Sequence, residues 1–173
     1  MPRLKGRSAL SKLLPLAVIS LLSLPLYALE NARVLSVVDG DTLKVNYRGR
    51  YESIRLIGID APESRRNEKA REDARRTKTN LRVLTSQGKE AAKFVKTLVK
   101  PRHPVRIEFD VETRDKYGRL LAYIYLSDGK MLNEEILKAG YANPMPHPPD
   151  VKYKVRFLKA YTEAKVNRRG LWR

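Results

Sequence analysis

The chain contains no cysteine and only two histidines, His103 and His147. The first absence excludes a disulfide framework, a thiolate zinc site and a cysteine nucleophile. The second leaves little material for a histidine-rich metal centre or a Ser-His-Asp triad, and both imidazoles sit beside prolines in loop-like sequence. Acidic residues are also scarce: 19 Asp and Glu stand against 36 Lys and Arg, a formal net charge of +17. Such a surface attracts polyanions, whether nucleic acid or an anionic membrane. Hydrophobic runs are few and short. "LLPLAVISLLSLPLYA" is interrupted by Pro15 and Pro25 and is short for a bilayer-spanning helix. Preceded by the basic, acid-free "MPRLKGRSALSK" and closed by Ala28, residues 1–28 read as a secretory signal peptide, with an uncleaved membrane anchor as the alternative. Cleavage removes Arg3, Lys5, Arg7 and Lys12 and leaves 145 residues with a net charge of +13, enough chain for one modest core.

The segment from Ala32 to Asp60 is patterned as a three-stranded meander. "RVLSVV" is followed by "DTLKVNY", in which Leu43, Val45 and Tyr47 alternate with Lys44 and Asn46, and then by "YESIRLIGI". Asp39-Gly40 reads as the first hairpin turn, Arg48-Gly49-Arg50 as the second, and Pro62 ends the third strand. Residues 64–87 form a basic insert with almost no apolar periodicity, either a loop or a solvated helix, and a candidate lid that contacts phosphate through Arg65, Arg66, Arg75 and Arg76. "GKEAAKFVKTLV" follows with an amphipathic helical spacing. "PVRIEFD" and "GRLLAYIYL" read as fourth and fifth strands, and "MLNEEILKAG" as a short helix stopped by Gly140. "NPMPHPPD" reads as an extended connector, and Val151, Val155, Leu158 and Tyr161 mark one face of a last helix. The expectation is an α+β domain over residues 29–173: a five-stranded OB-type β-barrel with about three α-helices.

Several polar residues fall near strand ends. Asp41 opens the second strand, Arg55 lies inside the third, "IDAPE" supplies Asp60 and Glu63, and Arg119 starts the fifth strand after "RDKYG". Each has a plain structural reading: Asp41 and Asp60 can satisfy turn amides, Arg55 can be a surface residue, and Glu63 a solvated acid. Together they form an inventory for phosphodiester hydrolysis. Two carboxylates without histidine suit a hard cation, Ca²⁺ or Mg²⁺. A third carboxylate can orient or deprotonate a water, and two arginines can pair with phosphate oxygens.

"VVDGDTLKV", "IRLIGIDAPE" and "TRDKYGRLLAYIY", in that order, resemble the staphylococcal nuclease (thermonuclease) family, and the resemblance extends through "GKEAAKFVKTLV", "DGKMLNEEILKAGYA" and "NRRGLW". It implies an OB-type barrel and Ca²⁺-dependent cleavage of DNA and RNA that leaves 3′-phosphate ends. By motif position it assigns one Ca²⁺, with Mg²⁺ the second choice, to Asp41, Asp60 and the main-chain oxygen of Ala61, where the family's best-known member has threonine. It assigns phosphate binding to Arg55 and Arg119, the general base or water-orienting role to Glu63, and contact with a terminal phosphate to Lys116 and Tyr117. The tyrosine pair that the best-known member carries after the penultimate helix is absent from "YANPMPHPPD". The resulting expectation is a secreted or periplasmic monomeric nuclease that needs no protein partner and touches a membrane only if its N-terminus stays uncleaved. The alternative is a non-catalytic OB-type nucleic-acid-binding module.

Overall fold

The computed structural model describes residues 29–173; the expected signal peptide, 1–28, lies outside them. Strands β1 (Glu30–Val37), β2 (Thr42–Tyr47), β3 (Arg50–Leu56), β5 (Pro104–Glu108) and β6 (Leu120–Tyr125) close into a barrel in the order β1-β2-β3-β6-β5. All neighbours are antiparallel except β3 and β6, whose parallel register pairs Ile54 with Leu120 and Leu56 with Ala122. The alternation legible in the sequence is the cause of closure. Val34, Leu43, Val45, Ile54, Leu56, Ile107 and Ile124 all point inward and are buried, while intervening Lys44 and Arg106 face solvent. Helices α1 (Glu68–Thr77), α2 (Leu81–Leu98), α3 (Leu132–Lys138) and α4 (Lys154–Val166) surround the barrel. No helix of the described residues is long and apolar enough to cross a membrane.

The structure differs from the sequence expectations at four places. The third strand is broken: β3 ends at Leu56, and β4 (Gly58–Asp60) leaves the barrel to pair with β7 (Asn143–Met145), which forms within the expected connector. Gly58 makes the break, with φ at +78°, and a Cβ there would lie 2.7 Å from the Phe157 ring. The fully buried Asn133 of α3 repairs the interrupted ladder, donating to the Ile57 carbonyl (2.9 Å) and accepting from the Ile124 amide (3.0 Å). The basic insert takes the helical one of its two expected forms, as α1 and the first turns of α2, so the described residues hold four α-helices: Asn67 caps α1 and Asn80 caps α2 through their side chains. Asp39-Gly40 lies in a loop of several residues between β1 and β2, whereas Arg48-Gly49 makes the tight turn, joining Tyr47 directly to Arg50 in register.

The expected face of α4 holds only at Tyr161, which packs against the core. Phe157, Ala160 and Ala164 pack inward, while Val155 is 82% exposed and Leu158 54% exposed. Three small or aromatic residues carry the contact, because α4 lies close over Tyr123 and Tyr153, whose rings meet Phe157. A pattern search that weights aliphatic residues reads such a helix backwards.

Candidate active site

The loop between β1 and β2 places Asp41. Its turn is held by the Val38 amide on the Thr42 carbonyl (2.9 Å) and by the Asp41 amide on Asp39 Oδ1 (3.2 Å). Gly40 is required for packing: a Cβ would lie 2.6 Å from Ala61 Cβ and 2.9 Å from Ala91 Cβ, so the loop is pressed beneath the β4 exit and α2. This drives the Asp41 side chain to 2% exposure. Its Oδ2 accepts from the Ala61 amide (2.7 Å), its Oδ1 from the Thr42 hydroxyl (3.0 Å), and Oδ1 also pairs with Arg55 Nη1.

Arg55 reaches both carboxylates because it stands opposite Thr42 across the β2–β3 ladder and one residue before the strand breaks. Its Nη2 pairs with Asp60 Oδ1 (2.9 Å), and its side chain is 13% exposed. Burial opposes the guanidinium charge, but Asp41 and Asp60 outweigh it and hold the Arg55 pKa above its ordinary value. Burial pushes the Asp41 carboxyl above its usual range even against the pull of Arg55; Asp39 pushes the same way, and the Ala61 amide opposes it. Asp41 is therefore a desolvated carboxylate whose charge one guanidinium compensates only in part.

Glu63 follows Pro62 and is set against α2 by a second glycine. At Gly88 a Cβ would lie 2.2 Å from the Glu63 carbonyl oxygen, so only a bare Cα allows this approach. The Glu63 carboxylate then meets two residues of the insert. Asn67 Nδ2 donates to Oε2 (2.8 Å) while Asn67 Oδ1 accepts from the Ala70 amide (2.9 Å), so one side chain caps α1 and orients Glu63. Lys69 Nζ lies 3.2 Å from Glu63 Oε1, 3.1 Å from Asp60 Oδ1 and 3.3 Å from Asp73 Oδ2. Burial works against the ammonium, yet these carboxylates raise its pKa well above the ordinary value. Sequence reasoning missed Asn67, Lys69 and Gly88. Asn67 ahead of Glu68 and the i,i+4 pair Lys69–Asp73 were legible as a capped helix, but nothing in the spacing aims its first turn at Glu63.

Arg119 is positioned by a different device. Asp115 Oδ1 accepts from the Tyr117 and Arg119 amides, each at 2.9 Å, and Oδ2 accepts from Arg119 Nε at 2.7 Å. The guanidinium lies 5.6 Å over the Tyr117 ring, and Lys116 Nζ lies 5.1 Å from the same ring. Arg55, Lys116, Tyr117 and Arg119 line one groove of 680 Å³, joined there by Met145 and His147. Met145 and His147 occupy the segment without tyrosines.

The structure thus brings the expected residues together in two groups. Asp41, Asp60 and Glu63, with the Ala61 amide, form an acidic cluster bridged by Arg55 and Lys69; Arg119, Lys116 and Tyr117 line the groove, where Glu112, Asp115 and Asp150 stand beside the cations; and Arg55 belongs to both. Among the described residues no three His, Asp or Glu side chains converge as a metal-ligand group. Any ion here would rest on two carboxylates and main-chain oxygen. That set is all oxygen, and a buried, under-compensated Asp41 is the environment in which a hard divalent cation is favoured.

The sequence model of one family, described as "Staphylococcal nuclease homologue", matches residues 53–173. A thermonuclease of Staphylococcus intermedius is 36% identical over 143 residues, covering 83% of this chain and 76% of that protein. A thermonuclease of Staphylococcus hyicus is 34% identical over the same length and coverage. Endonuclease YncB of Bacillus subtilis (strain 168) is 36% identical over 146 residues, 83% of this chain and 62% of its own. The family model covers more than half of the chain, and both thermonucleases are matched over three quarters of their length: the chain is a member of the staphylococcal nuclease family.

Proposed function

We propose that the protein is a secreted or periplasmic monomeric nuclease that hydrolyses DNA and RNA with low sequence specificity, depends on Ca²⁺ and leaves 3′-phosphate ends. The observation that carries this reading is Arg55, which pairs with the acidic cluster and lines the groove that holds Lys116, Tyr117 and Arg119. Asp41, Asp60 and the Ala61 carbonyl would hold the cation, which when bound supplies positive charge to neutralise the phosphate.

The chain's own residues perform the rest. Arg55 commits donors of Nη1 and Nη2 to Asp41, Asp60 and the Ile59 carbonyl, which leaves Nε–H and one Nη1 proton for a phosphate oxygen. Arg119, held rigid by Asp115, binds a second oxygen, so charge that builds on the five-coordinate phosphorus meets fixed donors. Glu63 accepts a proton from the attacking water. Water oxygen bonds to phosphorus as the P–O5′ bond breaks, and the departing 5′ oxygen takes up a proton from solvent water, giving a 3′-phosphate and a 5′-hydroxyl. Lys116 and Tyr117 contact the terminal phosphate of the bound strand. Low sequence specificity follows from contacts made to phosphate rather than to base edges.

The test is cleavage of labelled single-stranded DNA and RNA with Ca²⁺, with Mg²⁺ and with chelator. Cleavage with Ca²⁺ that is lost on chelation and falls at least a hundredfold in Glu63→Gln supports the reading. Cleavage that survives both overturns the mechanism, and binding without cleavage returns the chain to a non-catalytic module.

A further inference from the structure

The insert and α2 carry many cations, and the structure sorts them into two populations. Arg71, Arg75 and Arg76 on α1 are paired with Glu68 or Asp73, and Lys69 with the acidic cluster. Arg65, Arg66, Arg82, Lys89, Lys93 and Lys96 are exposed and make no ion pair among the described residues. Of the four arginines expected on a phosphate-contacting lid, Arg75 and Arg76 are therefore in the neutralised population and Arg65 and Arg66 in the unpaired one.

The unpaired six share a shape. A depression of 620 Å³ between residues 64–66 and α2 is lined by Arg65, Arg66, Arg82 and Lys89, together with Ser64, Thr85 and Ser86. A second, of 390 Å³, continues along α2 to Lys93 and Lys96 and shares Ser64, Arg65 and Lys89 with the first. On α2 the lining residues 82, 85, 86, 89, 92, 93 and 96 recur at helical spacing, so they form one stripe. Arg82 to Lys96 spans about 21 Å at 1.5 Å per residue. The single acid of α2, Glu90, lines neither depression. Ser64, the residue after Glu63, stands with Arg65 and Lys89 where the two depressions meet, on the segment that Gly88 presses against the helix.

We propose that this furrow is the track for the nucleic-acid backbone beyond the scissile phosphate: a row of consecutive phosphates of an extended single strand, leaving the catalytic groove past Glu63 and running along α2. This rests on the nuclease reading above. Concavity, a polar floor and a line of unpaired cations match a chain of phosphates. A membrane surface is met instead by a flat or convex face with large apolar residues to insert, and the furrow offers only Val37, Val38 and Ala92. No aromatic side chain lines it, so it holds the strand without stacking or reading bases. Its consequence is substrate length. Long strands engage both groove and furrow, whereas short ones engage the groove alone, so the track favours attack within polymers over trimming of fragments.

The experiment compares the quadruple variant R65Q/R82Q/K89Q/K93Q with a charge-matched control, K44Q/R106Q/K154Q/K159Q, which removes exposed cations elsewhere on the surface. Binding of a labelled sixteen-nucleotide single strand is measured by fluorescence anisotropy in chelator across a salt series. Each lost phosphate contact on a single strand removes about 0.7 from the slope of log K against log salt, so the furrow variant loses about 3 and the control much less. With Ca²⁺, the ratio of kcat/KM for the sixteen-mer to that for a trinucleotide falls at least tenfold in the furrow variant only. Equal slopes in the two variants, an unchanged ratio, or a larger loss of binding to vesicles of anionic phospholipid than to the strand each overturn the track. A wild-type protein that cleaves neither substrate overturns the nuclease reading instead, and the salt slopes still decide whether the furrow binds phosphate.

Discussion

Arg55 offers a test of the site that does not depend on catalysis. Replacing it with methionine keeps much of the side-chain volume and removes the guanidinium that faces two carboxylates. Asp41 is then a carboxylate of 2% exposure with only the Ala61 amide and the Thr42 hydroxyl for company. Stripping one partner from a buried ion pair costs about 3–5 kcal/mol, because the remaining charge is neither paired nor hydrated. Asp41 sets the upper limit of that cost, since it can take up a proton, and burial already pushes it in that direction. The expectation at neutral pH is therefore a loss near the lower end, about 3 kcal/mol. In a domain of this size that corresponds to roughly 10 °C in Tm.

The assay is urea unfolding in chelator, followed by the fluorescence of Trp172, whose ring meets Tyr161 edge-on at 5.4 Å. Adding Asp41→Asn to Arg55→Met should recover much of the loss, since the neutral amide needs no guanidinium and can still accept from Ala61. A coupling of roughly 2 kcal/mol is expected in the double-mutant cycle, within the range for groups in direct contact. If Arg55→Met costs less than about 1 kcal/mol, or the Asn substitution brings no relief, the pair is not the buried, interdependent unit described here. An unchanged denaturant slope would confirm that the native state, rather than the unfolded one, is affected.

Gly88→Ala should displace the Pro62–Glu63 backbone, because the new methyl would sit 2.2 Å from a carbonyl oxygen; cleavage should fall about a hundredfold, as for reacting groups shifted by an ångström, and wild-type rates in this variant would contradict that placement. Lys69→Met removes the ammonium between Asp60 and Glu63 and should tighten divalent-cation binding by about tenfold, or 1.4 kcal/mol, as read by titration calorimetry, with unchanged affinity counting against the contact. At Glu108 burial raises the pKa, but hydrogen bonds from Lys152, Tyr125 and Tyr153 outweigh it and leave it below the ordinary 4.5. A depressed carboxyl stabilises the fold above about pH 4.5 and loses that contribution as pH falls through its folded value. Glu108→Gln should therefore lower the urea midpoint at pH 7 and shrink the gap to wild type at pH 3, and a gap independent of pH would refute the assignment.

What the sequence disclosed of this molecule follows the range of the forces involved. The barrel was legible because the inward residues of β2, β5 and β6 obey a two-residue period, as those of β1 do up to its register shift after Val34, and that period is a local property. The break at Gly58 was not, since "YESIRLIGI" has the composition of one strand and the Phe157 ring that fills the space above Gly58 comes from α4, far along the chain. The α4 face was misread for the same reason: Val155 and Leu158 are more apolar than Ala160 and Ala164, and only the closeness of Tyr123 and Tyr153 makes small residues the buried ones.

The site divides along the same line. Asp41, Arg55, Asp60, Glu63 and Arg119 could be picked out as candidates from three short motifs and the family resemblance those motifs carry. Which cations neutralise which anions could not be named, since an arginine beside an aspartate in sequence and one that meets it in space look alike. Sequence placed Arg65, Arg66, Arg75 and Arg76 in one basic insert; space gives Arg75 and Arg76 to the acids of α1 and leaves Arg65 and Arg66 facing the furrow. Net charge alone could not separate these groups, and binding of a polyanion depends on the unpaired set. The furrow gathers six such cations in one line along α2, so substrate length should affect activity more than the total charge suggests.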